Sequence, residues 1–248
     1  MAGHSKFKNI QHRKGKQDAA KAKIFNKIAR EISTAVQSSG DDPASNPRLR
    51  AAMLAARAAN MTNDRIKNAI KSGGDNSTDN HEEIRYEGYG PGGVALIIEA
   101  LTDNRNRTAP EIRAAMSKNG GAMGEMNSVA FQFKRVGQII YPAGVTDADS
   151  MFEIALEAGA ENVESDDEYH DITTAIGDYT NVLQILFDKF GAPEESGLVW
   201  LPENTIPVSE ENATSLLKLI SALEDLDDVQ QVFGNYDIDD AVMEKLSA

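Results

Sequence analysis

The spacing of apolar residues predicts three helices in the first third of the chain. Apolar side chains recur every three or four positions along Phe25–Val36, which predicts an amphipathic helix that ends at Gly40. Asn46–Pro47 predicts the N-cap and first turn of a second helix. Thr62 predicts the start of a third helix, and Gly73–Gly74 predicts its end. The apolar stripes are thin, so these helices have little core of their own.

The pattern changes to strands after a polar, glycine-rich segment. Residues Ser72–Asn80 have the composition of a linker. Two apolar strands, 83–87 and 94–101, flank the glycine-rich residues Gly88–Gly93, which predicts a hairpin. Thr108–Glu111 resembles a capping box that opens a helix, and Ser128–Phe133 is predicted to be a further strand.

The remaining elements predict an inserted domain with a ferredoxin-like plan. From Gly137 the order is strand, helix, strand, strand, helix, strand, and then a helix, a strand and a short terminal helix follow. The elements on either side of the βαββαβ segment look incomplete alone, and domain ends tolerate insertions. We therefore predict an α+β fold with a basic arm plus helical domain (1–78), a discontinuous α+β domain (79–136 and 205–248) and an inserted acidic ferredoxin-like domain (137–204).

Charge is divided between the two ends of the chain. The formal net charge is −14, but residues 1–71 carry 15 basic and 5 acidic side chains. Residues 138–248 carry 3 basic and 25 acidic side chains. A block of like charge remains solvated, and a basic block most often meets phosphates. The N-terminal segment is therefore predicted to bind a polyanion, with an ordinary solvated surface as the alternative.

Several classes of protein are excluded or disfavoured by composition. The chain has no cysteine, so it has no disulfide, no thiolate catalyst and no cysteine-bound zinc. No apolar run is long enough to cross a membrane, and no apolar segment follows the basic residues as in a secretory signal. A mitochondrial presequence is disfavoured because the segment is lysine-rich and nearly lacks serine. We expect a cytoplasmic protein without a cofactor.

The predicted binding residues lie in the arm, on one face of the first helix and at a later helix start. Lys23, Lys27 and Arg30 fall at i, i+4 and i+7, so they form one stripe. Arg105 and Arg107 lie beside a predicted helix N-terminus, where amides and guanidinium groups can hold phosphate; two solvated surface arginines are an equal alternative. The predicted nucleic-acid-binding set is His4, Lys6, Phe7, Lys8, His12, Arg13, Lys14, Lys16, Lys23, Lys27, Arg30, Arg105 and Arg107.

Three other motifs are rejected. Gly88-x-Gly90-x-x-Gly93 matches the dinucleotide fingerprint, but a β-branched strand follows it where that motif needs a helix. The four histidines show no paired metal-ligand spacing, so no metal site is expected. The acidic runs Asp225–Asp228 and Asp237–Asp240 lack the glycine and the spacing of a calcium loop. No catalytic motif stands out, and we expect no enzymatic activity.

Seven segments of the sequence carry a family resemblance: Met1–Ile10, Arg13–Lys14, Lys23–Phe25, Arg30–Ile32, Asn46–Arg50, Tyr86–Gly93 and Leu101–Thr108. Together they closely resemble the YebC family. Phe7 stands where many relatives carry tryptophan, and either ring can stack on a base. The resemblance implies a helical N-terminal unit, a middle α+β domain and an inserted ferredoxin-like domain.

The resemblance also implies a non-catalytic regulator of gene expression, for which two activities are open. One is a DNA-binding transcriptional regulator, as the family label has it. The other is a ribosome-associated translation factor that relieves stalling at proline-rich stretches, with ribosomal or messenger RNA as partner. No recognition helix or base-reading signature is evident, so a basic arm fits structured RNA at least as well as an operator. Two further classes stay open: an enzyme acting on nucleic acid, with Asp103 as candidate, and an adaptor whose acidic body docks a basic protein. We expect a monomer that binds no membrane.

Overall fold

The computed structural model describes residues 17–74 and 81–247, which fall into two compact units. The first unit contains residues 79–134 and 200–248, and the second contains residues 21–78 and 135–199. Both combine helices with antiparallel strands, so the predicted α+β fold is confirmed. None of the helices in the described ranges is both long and apolar enough to cross a membrane. The division into three domains stays a prediction.

Three helices open the second unit, and their ends agree with the sequence signals. Helix α1 spans Gln17–Ser39, α2 spans Pro47–Ala58 and α3 spans Asn63–Gly74. The Asn46 side chain accepts a 3.0 Å hydrogen bond from the Leu49 amide and so caps α2. Gly40 ends α1 with φ +87°, a conformation that favours glycine.

The second unit also contains a four-stranded sheet with two helices. In chain order these elements are β4 (Phe133–Pro142), α5 (Ala148–Ala158), β5 (Asn162–Ser165), β6 (Tyr169–Thr174), α6 (Tyr179–Phe190) and β7 (Glu195–Pro202). The strand order is β5-β6-β4-β7, so the first and third strands lie side by side in the middle. The predicted βαββαβ plan is therefore the one observed.

Helix α2 contributes to two hydrophobic cores within the second unit. Leu49 packs with α1 and α3 in a small core around Ile32. Leu54, one and a half turns further along the same helix, packs instead with Ile139, Val182 and neighbouring residues of the ferredoxin-like elements. The helical segment is therefore attached to this sheet-and-helix layer by burial of apolar side chains.

The first unit is built on an antiparallel sheet with both faces covered. Its elements are β1 (Glu82–Tyr89), β2 (Ala95–Thr102), α4 (Arg105–Lys118), β3 (Ala122–Met123), β8 (Ile206–Pro207), α7 (Glu210–Glu224), β9 (Val229–Gly234), β10 (Tyr236–Asp237) and α8 (Asp240–Ser247). The strand order is β3-β1-β2-β9, and β8 pairs separately with β10. Helices α4 and α7 cover one face, while Ala95 and Ile97 face a smaller cluster on the other.

Two predicted boundaries in the first unit are wrong. Helix α4 begins at Arg105, with Asn104 as its N-cap, so Thr108 is inside the helix and caps nothing. Residues 128–132 form a turn and a short 3₁₀ segment, and Phe133 is already the first residue of β4, so the separate strand predicted at Ser128–Phe133 is not formed. In both places a buried carboxylate from a distant part of the chain binds the local polar groups, as described below.

Candidate nucleic-acid interface

The predicted binding residues divide into a part that the structure describes and a part that it does not. The eight positions from His4 to Lys16 lie outside the described residues. Lys23, Lys27 and Arg30 lie on α1, where all three are half-buried. Each of these three takes part in an interaction within the structure. The stripe is therefore partly covered and is not a freely solvated helix face.

Helix α3 lies directly against α1. The Ser33 hydroxyl donates a 2.8 Å hydrogen bond to the Ala69 carbonyl, and Gly73 comes so close that a Cβ there would lie 2.5 Å from the Ser33 carbonyl oxygen. Arg65 stacks over the Phe25 ring at 5.2 Å from its centroid. The two helices therefore run side by side in the same direction.

This packing adds cations that sequence reasoning missed. Arg65, Lys67 and Lys71 of α3 are exposed, as are Lys21 on α1 and Arg57 near the end of α2. The sequence signal that could have identified two of them is the four-residue spacing of Lys67 and Lys71, which places both on one face of a helix. Residues 17–74 hold ten lysines and arginines against five acids. Such a surface attracts phosphate oxygens.

Two other cations of the helical segment have structural roles. Arg48 forms a two-point ion pair with Glu31, with nitrogen–oxygen distances of 2.6 and 2.9 Å. Arg50 donates a 2.6 Å hydrogen bond to the Pro43 carbonyl. A bidentate arginine–carboxylate pair fixes the geometry of both side chains. These arginines therefore tie α1 to α2 and brace the connection between them.

Arg107 is held by carboxylates at the start of α4. Its Nη2 donates to Asp228 at 2.6 Å and to Asp103 at 2.9 Å. Asp228 is buried and also accepts hydrogen bonds from the Thr102 and Thr108 hydroxyls, at 2.9 and 2.7 Å. Burial alone would raise the pKa of Asp228, but the donated hydrogen bonds and the Arg107 charge lower it overall. This cluster joins β2, α4 and β9.

Arg105 is placed differently from Arg107. Its Nε lies 3.5 Å from Glu82, and 62% of its side chain is exposed. An exposed pair of this kind contributes little to stability and can rearrange. The prediction that Arg105 and Arg107 bind a phosphate stays a prediction, and Arg107 has a structural role in addition.

A second buried carboxylate organises the loop after β3. Glu87 accepts hydrogen bonds from the amides of Asn127, Val129 and Ala130, at 3.0, 2.8 and 2.9 Å, and pairs with Arg85. Burial alone would raise the pKa of Glu87, but the three amides and the Arg85 charge lower it overall. The carboxylate therefore holds residues 127–130 in a loop, where the sequence predicted a strand from residue 128.

The same loop presents two large apolar side chains to solvent. Phe131 is 73% exposed and Met126 is 68% exposed. Behind the loop, the Arg85 guanidinium stacks over Trp200 at 5.1 Å, and the Trp200 indole donates to Glu99 at 2.9 Å. Nothing in the sequence distinguished Phe131 from a strand residue, because the loop depends on Glu87.

A metal centre is not evident in the part of the chain that is described. In residues 17–74 and 81–247, no three histidine or acidic side chains are grouped so that they could hold an ion. His170 is buried and structural: its ring nitrogens lie 2.7 Å from the Ser165 hydroxyl and 3.0 Å from the Thr146 carbonyl oxygen. Residues Gly88–Gly93 connect two antiparallel strands, a context in which a dinucleotide fingerprint does not function.

Comparison with known proteins places the whole architecture in one family. Residues 5–76 match the family model described as the TACO1/YebC protein N-terminal domain. Residues 81–236 match the model described as the TACO1/YebC second and third domain. The structure is similar to the crystal structure of a conserved hypothetical protein from Aquifex aeolicus, with 42% sequence identity and a TM-score of 0.80 over 90% of this chain and 92% of that one. The chain belongs to the TACO1/YebC family.

Proposed function

We propose that this protein is a non-catalytic regulator of gene expression that binds nucleic acid through its basic helical segment. The observation that carries the proposal is the group of exposed cations on the paired helices α1 and α3, within a chain of net charge −14. Cations alone on such a surface contact phosphates and supply affinity without base specificity. The acidic remainder of the chain limits non-specific binding to polyanions.

RNA is the partner that these features support better. The exposed cations lie on two side-by-side helices, and phosphate contacts of this kind suit any folded polyanion. Structured RNA is recognised largely by shape and backbone, which requires no recognition helix in a major groove. On this proposal the protein acts at ribosomal or messenger RNA, and relief of stalled elongation is the activity that the family resemblance implies.

DNA is the second candidate, and one observation favours it. The model that matches residues 81–236 carries a transcription-regulator label. A DNA-binding regulator would need base contacts in addition to phosphate contacts. Crosslinking in cells, followed by sequencing of the bound RNA and DNA, separates the two candidates. Recovery of promoter DNA alone would overturn the RNA assignment.

The first prediction concerns the salt dependence of binding. Replacing Lys67 and Lys71 by glutamine removes two exposed cations from α3 and no core contact. Each lost phosphate contact lowers the slope of log affinity against log salt by about 0.7 for single strands and about 0.9 for duplex DNA. We expect the slope to fall by about 1.4 to 1.8 while the melting curve is unchanged. Removing residues 2–16, which include five lysines and arginines, should lower it further.

The matched control removes the same number of positive charges from the first unit. Lys118 and Lys218 are exposed lysines of the first unit, on α4 and α7. Their replacement by glutamine should leave the salt slope as it is in the unmodified protein. If the two pairs have the same effect, binding follows net charge alone, and the proposed interface on α3 is wrong.

A further inference from the structure

We propose that a pocket beside Phe131 binds an unpaired base of single-stranded RNA. The inference rests on the proposed nucleic-acid function and adds a second, uncharged contact within the first unit. The pocket has a volume of about 220 Å³ and is lined by Phe131, Gln132, Glu203, Asn204, Ile206 and Asn235. An exposed aromatic ring beside hydrogen-bonding side chains is the arrangement by which proteins bind splayed-out bases.

The backbone that carries the aromatic wall of the pocket is fixed before any ligand arrives. Phe131 is 73% exposed, yet the preceding residues Val129 and Ala130 are bound through their amides to buried Glu87. Fixing the backbone in advance lowers the entropy lost on binding. A large exposed ring on such a rigid support is suited to stacking rather than to filling a core.

The other walls are joined to this one by backbone hydrogen bonds. The Glu203 amide donates to the Gln132 carbonyl at 2.9 Å, and the Ile206 amide donates to the Asn235 carbonyl at 2.7 Å. Three separate chain segments therefore meet at one place. The pocket is smaller than the roughly 300 Å³ at which sites for drug-sized ligands begin, which fits a base better than a whole nucleotide.

A chain of hydrogen bonds determines which end of the Gln132 side-chain amide can bind a ligand in the pocket. The Ala95 amide donates to the Asn235 side-chain oxygen at 2.8 Å, so the other end of that amide must be its NH₂ group. This NH₂ donates to the Gln132 side-chain oxygen at 3.0 Å. The Gln132 NH₂ therefore remains as a donor, while exposed Glu203 and Asn204 provide acceptors. A base edge presents both kinds of partner.

The charge of the lining selects a base over a phosphate. None of the lining residues is a cation, and one is an acid. Residues 200–248 contain eleven acids and two lysines, so this part of the chain repels phosphate. The phosphate contacts are those proposed above for the basic helical segment, and the pocket supplies stacking and edge contacts for an uncharged group.

The experiment compares single-stranded and fully paired RNA in the full-length protein. Binding of labelled oligo-A, oligo-C and oligo-U and of a blunt duplex is measured by fluorescence anisotropy at fixed salt. Base–aromatic stacking contributes about 1–3 kcal/mol per base, so Phe131→Ala should weaken single-strand binding by about 5- to 150-fold. Duplex binding and the salt slope should not change, because no phosphate contact is lost. Phe131→Trp should restore the affinity.

Two controls separate stacking from other effects. Met126→Ala removes an equally exposed apolar side chain from the same loop and should leave every affinity unchanged. Asn204→Ala should change the relative affinities for the three oligonucleotides, since it removes an edge contact. Equal melting curves would show that the loop is intact in each variant.

Specific outcomes overturn the proposal. Unchanged single-strand affinity in Phe131→Ala would remove the base site, and so would an equal loss on the duplex. If Phe131→Ala instead abolished binding of a protein partner and left RNA binding intact, the ring would be a protein-docking residue. The proposed function fails separately, if Lys67→Gln with Lys71→Gln leaves binding unchanged. The two failures are therefore distinguishable.

Discussion

At the scale of single residues, two buried carboxylates hold the first unit together. Glu87 satisfies three backbone amides that would otherwise be unpaired, and Asp228 collects two hydroxyls and a guanidinium. Burying a charge costs free energy unless it is paired and hydrogen-bonded, and both groups meet that condition. Each carboxylate thereby fixes a segment that is distant in sequence.

Glu87→Gln should destabilise the first unit by about 2–3 kcal/mol at neutral pH, because an amide NH₂ would then face backbone N–H donors. Since the folded pKa of Glu87 is lowered, its stabilisation is present above the ordinary glutamate pKa and is lost as pH falls through the folded value. The difference between the two proteins should therefore shrink in acid. Urea unfolding from pH 7 to pH 3 measures it.

The control for that measurement is Glu111→Gln, which changes an exposed acid on α4. Surface substitutions of this kind usually shift stability by about 0.5 kcal/mol or less. A constant difference between Glu87→Gln and the unmodified protein across the pH range would contradict the assigned role of the carboxylate.

Sequence reasoning does not identify such residues. Glu87 occupies a strand position where an acid normally faces solvent, and Thr108 occupies the first position of a good capping box. Their real partners lie about 40 and 120 residues further along the chain. Local patterns carry no information on contacts at that separation, which is why the cap at Thr108 and the strand at 128–132 were predicted wrongly.

At the scale of elements, caps and turn residues made the fold predictable. Asn46, Gly40 and Gly159 mark helix ends by chemistry that acts within a few residues. The cations of α3 were missed for a different reason. Periodicity shows that α3 has an apolar face, but it does not show that this face lies against α1.

Asn46→Ala should destabilise the second unit more than the loss of an ordinary cap. The side chain caps α2 and also donates to the carbonyls of Ala35 and Gly40, both at 2.8 Å. Loss of the cap costs about 0.5–2 kcal/mol, and loss of the two donated hydrogen bonds adds about 0.5–1.5 kcal/mol each. Thermal and urea unfolding of the variant measure the total.

The comparison variant is Ser209→Ala, which removes the N-cap of α7. The Ser209 hydroxyl lies 3.4 Å from the Asn212 amide, and the residue is exposed. Ser209→Ala should lower the free energy of unfolding by no more than about 1 kcal/mol. If Asn46→Ala is as mild as Ser209→Ala, the two donated hydrogen bonds contribute nothing.

At the scale of the whole molecule, the division of charge could be predicted by counting charged residues in the sequence. The grouping of the helical segment with the ferredoxin-like elements could not. A thin apolar stripe on α2 indicates that one face of the helix is buried, but it does not identify the element that packs against this face. The structure packs Leu54 and Ala51 of that helix against the ferredoxin-like elements. The helical segment and the inserted strands consequently belong to one compact unit.

A fragment of residues 81–248 should therefore fold and yet expose apolar surface that the full chain buries. The fragment lacks α1 to α3 but retains the hairpin, helices α4 to α8 and both four-stranded sheets. Far-UV circular dichroism should show a folded protein, and ANS fluorescence should exceed that of the full chain. Leu54→Ala in the full chain is the control, since it removes one contact and keeps the helix. Equal ANS binding by fragment and full chain would contradict the packing of α2.

The sheet of the first unit has one more consequence, which concerns the direction of synthesis. Strand β2 is made early, but its neighbour β9 and the carboxylate of Asp228 emerge only after the whole inserted segment and α7. The βαββαβ elements are contiguous and can fold as soon as they are complete, as domains generally do during translation. Meanwhile β2 has an open edge, the kind of surface that promotes aggregation. A nascent chain is therefore most prone to aggregate while residues 103–234 are being made. Until Asp228 is added, Thr102, Arg107 and Thr108 lack the carboxylate that binds them, and until β9 is complete, β2 has an unpaired edge.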